Sequence, residues 1–146
     1  MNTAELTAAL QARMAARGAQ PLPPAGPPLP LHFASPQGEW WLALAAQQAD
    51  ADACQQAFEA GLQSLLALAS QSAAQLVLAV SFASTTAGQT PSYRPALKKY
   101  SNSVIFEDLG IHLWLASQAE WIELQPTQVS PFLRDLNRWI ASHKAA

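Results

Sequence analysis

Charged residues are scarce in this sequence. Of its 146 residues only 12% are Asp, Glu, Lys or Arg, while 50% are hydrophobic, and the formal net charge at pH 7 is −2. Disordered segments combine high net charge with low hydrophobicity, so this composition predicts a folded chain. The slightly negative balance gives no overall attraction to nucleic acid or to anionic membranes, and binding to either would have to be local.

Cysteine and long apolar runs are nearly absent as well. Cys54 is the single cysteine, so the sequence excludes an internal disulfide and a metal site built from cysteines, and it favours a reducing, cytoplasmic location. No stretch approaches the roughly 18–20 apolar residues that cross a bilayer, and the N-terminus lacks the basic-then-apolar order of a secretory signal. We therefore predict a cytoplasmic chain without a membrane partner.

Motifs of catalytic and cofactor sites are missing too. The six glycines are scattered singly, so there is no phosphate-binding glycine loop, and no G-x-S-x-G nucleophile elbow occurs. No two histidines share a metal-ligand spacing, and a metal-dependent nuclease would need clustered carboxylates with a lysine beside them. The sequence predicts no metal and no cofactor and speaks against an enzyme, with an unrecognised hydrolase or nuclease as a remaining alternative. The residues weighed as metal ligands are His32, His112, His143, Glu107, Asp108, Glu120 and Glu123.

The N-terminal part divides into a helix and a proline-rich segment. Residues 1–18 are predicted to form an amphipathic helix whose narrow apolar face needs a partner surface, from the domain or from another copy of the chain. In residues 20–30 six of eleven are proline, which favours an extended conformation, so residues 19–30 are predicted to be a linker. The alternative is a ligand for a proline-binding module. The apolar face of the helix consists of Leu6, Leu10 and Met14.

Residues 31–146 are predicted to form one α+β domain. Alternating apolar residues indicate strands at 31–34, 39–46, 75–84, 103–106, 110–116 and 121–124. Helical spacing and caps indicate helices from Asp50 or Asp52 to about Ser70, and from Pro131 onward. The order α-β-β-α-β-β-β-β-α predicts a two-layer sandwich, with helices on an antiparallel or mixed sheet of about five to six strands. This order is similar to that of roadblock, longin and profilin-like modules, and more loosely to that of secretion chaperones.

The long polar connection at residues 84–102 is the strongest local anomaly. Residues 92–102 hold three of the eight cations and both tyrosines of the chain. Cations that reach phosphates and aromatic faces that stack on bases suit single-stranded nucleic acid, and the same groups suit an acidic or phosphorylated partner. We favour a solvated loop, because the net charge is negative. The candidate binding residues are Tyr93, Arg94, Lys98, Lys99 and Tyr100.

Tryptophans supply much of the large apolar side-chain area in this alanine-rich chain. Four of them fall on predicted strands, where they form either the core or a partner surface, and the sequence favours the two equally. We predict a non-enzymatic protein-interaction module that acts as a homodimer, an adaptor or a chaperone-like subunit. A nucleic-acid-binding protein that uses residues 92–102 is the alternative. The predicted interface residues are Leu6, Leu10, Met14, Trp41 and Trp121.

Overall fold

The computed structural model describes residues 2–22, 31–46, 48, 50–69, 74–81, 99–100, 104–117 and 121–144. Within these ranges the chain forms four helices and a six-stranded sheet. The helices are α1 (Thr3–Ala16), α2 (Ala51–Ala69), α3 (Ile105–Leu109) and α4 (Pro126–Lys144). The strands are β1 (Gln20–Leu22), β2 (Leu31–Ser35), β3 (Gly38–Ala45), β4 (Gln75–Ser81), β5 (Ile111–Ala116) and β6 (Trp121–Leu124).

The six strands lie in the sheet in their chain order. The pairs β1–β2, β2–β3 and β5–β6 are antiparallel, while β3–β4 and β4–β5 are parallel. The helix α2 connects β3 to β4, as a parallel pair requires. The predicted α+β class is therefore confirmed, with a mixed sheet in which β4 is a central strand.

Both faces of the sheet carry an apolar layer. Because side chains alternate along a strand, Trp41 and Trp40 point to opposite faces and join different core clusters. On one face α2, α3 and α4 cover the sheet, with Phe58, Phe106 and Leu133 among the buried residues. On the other face α1 is the described helix that packs on the sheet. The fold thus has helices on both faces, one layer more than the predicted sandwich.

Helix α1 begins and ends with well-formed caps. The Glu5 backbone N–H donates to Asn2 Oδ1 at 2.8 Å and the Asn2 N–H donates to Glu5 Oε1 at 3.2 Å, which completes a capping box. At the other end Gly18 has a φ of 77°, and the Ala19 N–H donates to the Met14 carbonyl at 2.9 Å. These caps fix the length of α1 and the direction in which the chain leaves it.

The apolar face of α1 is buried within the chain itself. The side chains of Leu6, Leu10 and Met14 are fully buried and belong to the core cluster that contains Trp40 and Trp114. The partner surface that this helix needs is therefore the domain. The three predicted interface residues on α1 have no exposed surface to offer another molecule.

The predicted linker begins with a strand instead. Gln20–Leu22 is β1, and Pro21 lies opposite Phe33 of β2 in the antiparallel register. Proline is tolerated here because β1 is an edge strand, where a missing backbone N–H need not interrupt the sheet. Residues 23–30 lie outside the described residues.

Two further elements differ from the prediction, one in its type and one in its start. The strand predicted at 103–106 is replaced by the short helix α3, in which Phe106 is buried and which ends at Gly110 with a φ of 68°. The last helix begins at Pro126, so Pro131 lies inside it. Its start is fixed by the Gln125 backbone N–H, which donates to Gln128 Oε1 at 3.0 Å.

The closest approach of a helix to the sheet occurs at Gly61 of α2. A Cβ atom at this position would lie 2.9 Å from Leu78 Cδ1 and 3.6 Å from Ala43 Cβ. Helix α2 therefore crosses the sheet closely at this glycine.

We expect Gly61→Ala to lower the free energy of unfolding by about 1 kcal/mol. Overpacking a core costs about 1–3 kcal/mol, which exceeds the gain of about 1 kcal/mol in helix propensity. Urea denaturation measures the difference. The control is Gln63→Ala on the exposed side of the same helix, which we expect to stay within about 0.5 kcal/mol of the parent chain. A Gly61→Ala protein more stable than the parent would contradict the close contact.

Candidate functional site

A cleft of about 310 Å³ opens where the C-terminal end of α1 meets the sheet. The starts of β3, β4 and β5, the end of β6 and the first turn of α4 form its walls. We call it the arginine–tryptophan cleft. Its lining residues are Arg17, Trp40, Gln75, His112, Trp114, Glu123, Leu124, Gln125 and Gln128.

Arg13 of α1 and Arg17, the C-cap residue of this helix, lie over tryptophan rings of the sheet. The Arg13 Cζ atom is 4.3 Å from the centroid of the Trp121 ring, and the Arg17 Cζ atom is 5.0 Å from that of Trp114 and 5.8 Å from that of Trp40. A guanidinium over an indole face is attracted by the ring quadrupole. These contacts hold long, flexible side chains in defined positions beside the cleft.

One carboxylate joins the two arginines. Glu123 accepts a hydrogen bond from the Arg17 guanidinium, and its Oε2 lies 3.5 Å from Arg13 Nη1. The same Oε2 accepts a hydrogen bond from Trp121 Nε1 at 2.9 Å. The side chains of Arg13 and Arg17 nevertheless remain 47% and 39% exposed. Two guanidiniums share one carboxylate, so this group of side chains carries one uncompensated positive charge.

His112 forms the polar side of the cleft together with Gln75. Its Nε2 atom lies 2.8 Å from Gln75 Oε1, which makes Nε2 the protonated nitrogen of the neutral ring. Burial, and secondly the positive charge of Arg17, lower the pKa of His112 below its ordinary value of 6.5. The ring is therefore predominantly neutral at pH 7.

The cleft combines hydrogen-bond donors, one carboxylate and one imidazole with an apolar wall. Its lining residues include no hydroxyl, thiol or amine that would act as a nucleophile. In the described part of the chain no three His, Cys, Asp or Glu residues come together as a metal site. Of the carboxylates weighed as metal ligands, Glu123 is engaged by arginines, while Glu107 and Asp108 lie exposed on α3. Glu120 and the His143 side chain lie outside what the structure describes.

The predicted basic and tyrosine-containing site is described at two residues. Lys99 Nζ lies 2.6 Å from Glu59 Oε1, and this hydrogen bond lowers the pKa of Glu59 and raises that of Lys99. The Tyr100 ring lies 5.4 Å from Phe58 and meets Phe106 edge-on at 6.4 Å. Both side chains thus contact the domain. Tyr93, Arg94 and Lys98 lie outside the described residues.

The two predicted interface tryptophans have different surroundings. Trp41 is buried in the main core and stacks on His32, with ring centroids 3.7 Å apart and an interplanar angle of 7°. His32 Nε2 in turn lies 3.1 Å from Glu39 Oε2. Trp121 is half-buried beneath Arg13, at the margin of the arginine–tryptophan cleft. Of the two rings, Trp121 is the one next to a surface that another molecule can reach.

Sequence reasoning weighed His112 and Glu123 only as metal ligands and did not single out Arg13 or Arg17. A four-residue spacing places Arg13 and Arg17 on one face of α1, which was a usable signal for the pair. Their common partner Glu123 is 106 positions away from Arg17 in the chain, and no local pattern links them.

Comparison with known proteins gives no relative. No protein-family model, no curated protein and no solved structure matches this chain. Among the helices that the structure describes, none has the length and apolar character needed to cross a membrane.

We expect Arg17→Gln to raise the pKa of His112 towards 6.5, because the variant removes a positive charge that disfavours the protonated ring. A pH titration of the His112 ring signals by NMR measures the shift. The control is Arg13→Gln, since the pKa of His112 is lowered by burial and by Arg17. If both variants shift the histidine equally, or neither does, the electrostatic picture of the cleft is wrong.

Proposed function

We propose that this chain is a non-enzymatic protein-interaction module and that the arginine–tryptophan cleft is its contact surface. One observation carries the proposal: two partly exposed guanidiniums are held on indole rings at the mouth of an open cleft. Arginine and tryptophan are enriched among the residues that dominate interface energies. Side chains already fixed before association lose less conformational entropy on binding, so their contacts contribute more to affinity.

Other surfaces support such a role less well. The apolar face of α1 is used inside the chain. The edge strand β1 has three residues, one of them Pro21, and the opposite edge strand β6 has four, with Glu123 pointing towards α1. Short strands, prolines and charged side chains are the means by which proteins prevent pairing at sheet edges. The proposed contact surface is therefore the cleft rather than the helix stripe or a sheet edge.

The alternatives have weaker support in the described part of the chain. For nucleic acid binding, Lys99 is paired with Glu59 and Tyr100 packs against phenylalanines, while the net charge of the chain is −2. For a hydrolase, the cleft lining has no serine, threonine, cysteine or lysine, and its carboxylate, Glu123, is bound by arginines. We further propose a cytoplasmic location, to which the buried, unpaired Cys54 is well suited.

The proposal is tested by photo-crosslinking in cells of the organism that encodes the chain. A photoreactive amino acid replaces Gln125 at the cleft or, as a control, Gln63 on α2; both side chains are exposed. We expect position 125, and not position 63, to give an adduct of defined mass, which is then identified by mass spectrometry and reconstituted from purified proteins. An adduct of two 15.6 kDa chains indicates a homodimer, and any other mass indicates an adaptor or subunit role.

Dependence on the arginines makes this test specific. Adding Arg17→Ala to the position-125 protein should abolish the adduct, while circular dichroism verifies that the variant is folded. The absence of an adduct at position 125, or an identical adduct from position 63, would refute the cleft as a contact surface.

A further inference from the structure

We infer that the group recognised in the arginine–tryptophan cleft is a singly charged carboxylate attached to a compact apolar group. This inference rests on the proposed interaction function, since it names the chemical group that the partner presents. A peptide supplies such a group as its C-terminus or an acidic side chain, and a small organic acid supplies it as a free molecule.

The charges in and beside the cleft indicate the sign of the ligand's charge. Arg17, the C-cap residue of α1, and Glu123 of β6 line the cleft, and Arg13 lies beside the lining residues, 3.5 Å from Glu123 Oε2. The other polar lining side chains are His112 on β5 and the uncharged glutamines of β4 and of the α4 start. Arg13, Arg17 and Glu123 together carry one net positive charge, and this charge lies at the edge of the cleft. The cleft also lies at the N-terminal end of the 19-residue helix α4, where the helix dipole favours an anion.

The hydrogen-bonding groups of the cleft also indicate a ligand that accepts hydrogen bonds. Both Glu123 oxygens already accept hydrogen bonds, from Arg17 and from Trp121. The side-chain oxygen of Gln75 is bonded to His112, and that of Gln128 to the Gln125 backbone N–H. Each glutamine therefore still has an NH₂ group to donate, and Arg17 has further N–H groups in its planar fork. With the side-chain oxygens of Glu123, Gln75 and Gln128 engaged and several donors left, the cleft suits a ligand that accepts hydrogen bonds.

The size and charge of the cleft favour a carboxylate over a phosphate. A dianion would bring a second negative charge beside Glu123 and overcompensate the single excess positive charge. A volume of about 310 Å³ lies at the lower end of the roughly 300–1,000 Å³ typical of ligand sites. It has room for one amino-acid-sized group. Trp40, Trp114 and Leu124 supply the apolar wall against which the body of that group would pack.

The test is a titration of the isotope-labelled full chain, followed through the indole N–H signals of Trp40 and Trp114 by NMR. The probes are N-acetylphenylalanine, its uncharged amide, benzoate and phenyl phosphate at one ionic strength. We expect saturable shifts with N-acetylphenylalanine and none with the amide. Phenyl phosphate should bind more weakly than benzoate because of its second charge.

Variants identify the group that binds the carboxylate. Arg17→Gln should weaken N-acetylphenylalanine binding about tenfold or more, because a charge-assisted, two-pronged hydrogen bond is lost. Arg17→Lys keeps the charge but loses the fork, and we expect an intermediate affinity. The matched control is Arg134→Gln, which removes an exposed arginine of α4 outside the cleft and should leave the affinity unchanged.

The outcomes separate this inference from the proposed function. Tighter binding of N-acetylphenylalanine than of benzoate supports a peptide source, and the reverse supports a free organic acid. A crosslinked partner without any carboxylate binding would overturn the inference and leave the interaction proposal standing. Carboxylate binding without a crosslinked partner would support the carboxylate inference and overturn the interaction proposal. Equal binding of acid and amide, tighter binding of phenyl phosphate, no saturable binding at all, or no effect of Arg17→Gln would each overturn the inference.

Discussion

The parallel pairing of β3, β4 and β5 is the constraint on which the rest of this structure depends. Strands with apolar side chains on both sides, such as β4, must be covered on both faces of the sheet. Helices α2, α3 and α4 cover one face. The other face is left to α1, which explains why the apolar stripe of this helix is used inside the chain. If α1 did not dock, its apolar face and one apolar face of the sheet would both be exposed to solvent. Docking α1 on the sheet buries both surfaces.

The docking of α1 also creates the cleft. With Leu10 and Met14 packed on the sheet, Arg13 in the last turn of the helix and Arg17 at its C-cap lie over the indole rings of Trp121 and Trp114. Glu123 then holds both guanidiniums from the far edge of the sheet. Exposed ion pairs contribute little to stability, so this arrangement is better explained as a means of orienting the arginines than as a source of folding energy.

Much of the fold was predictable because its signals are local. The alternation in β4, the helical spacing and Asp50 cap of α2, and the Pro36-Gln37 turn before Gly38 each lie within one element, and the structure has all three. The helix α3 was missed because a segment of a few apolar residues fits a strand as well as a helical turn. The start of α4 was misplaced because Pro126 and Pro131 both fit a first helical turn. The spacing of Arg13 and Arg17 was visible in the sequence, but their meeting with Glu123 was not predictable, because it depends on the docking of α1.

The parallel pairings have a consequence for how the chain matures on the ribosome. Trp40 pairs with Gln75 and Leu76 with Ile111, so each parallel contact joins residues 35 positions apart. Helix α1 leaves the exit tunnel long before Trp114 has been translated, and the cover for Leu6, Leu10 and Met14 is incomplete until then. Non-local pairing of this kind slows folding. The nascent chain therefore carries an amphipathic helix with an incompletely covered apolar face through most of its synthesis.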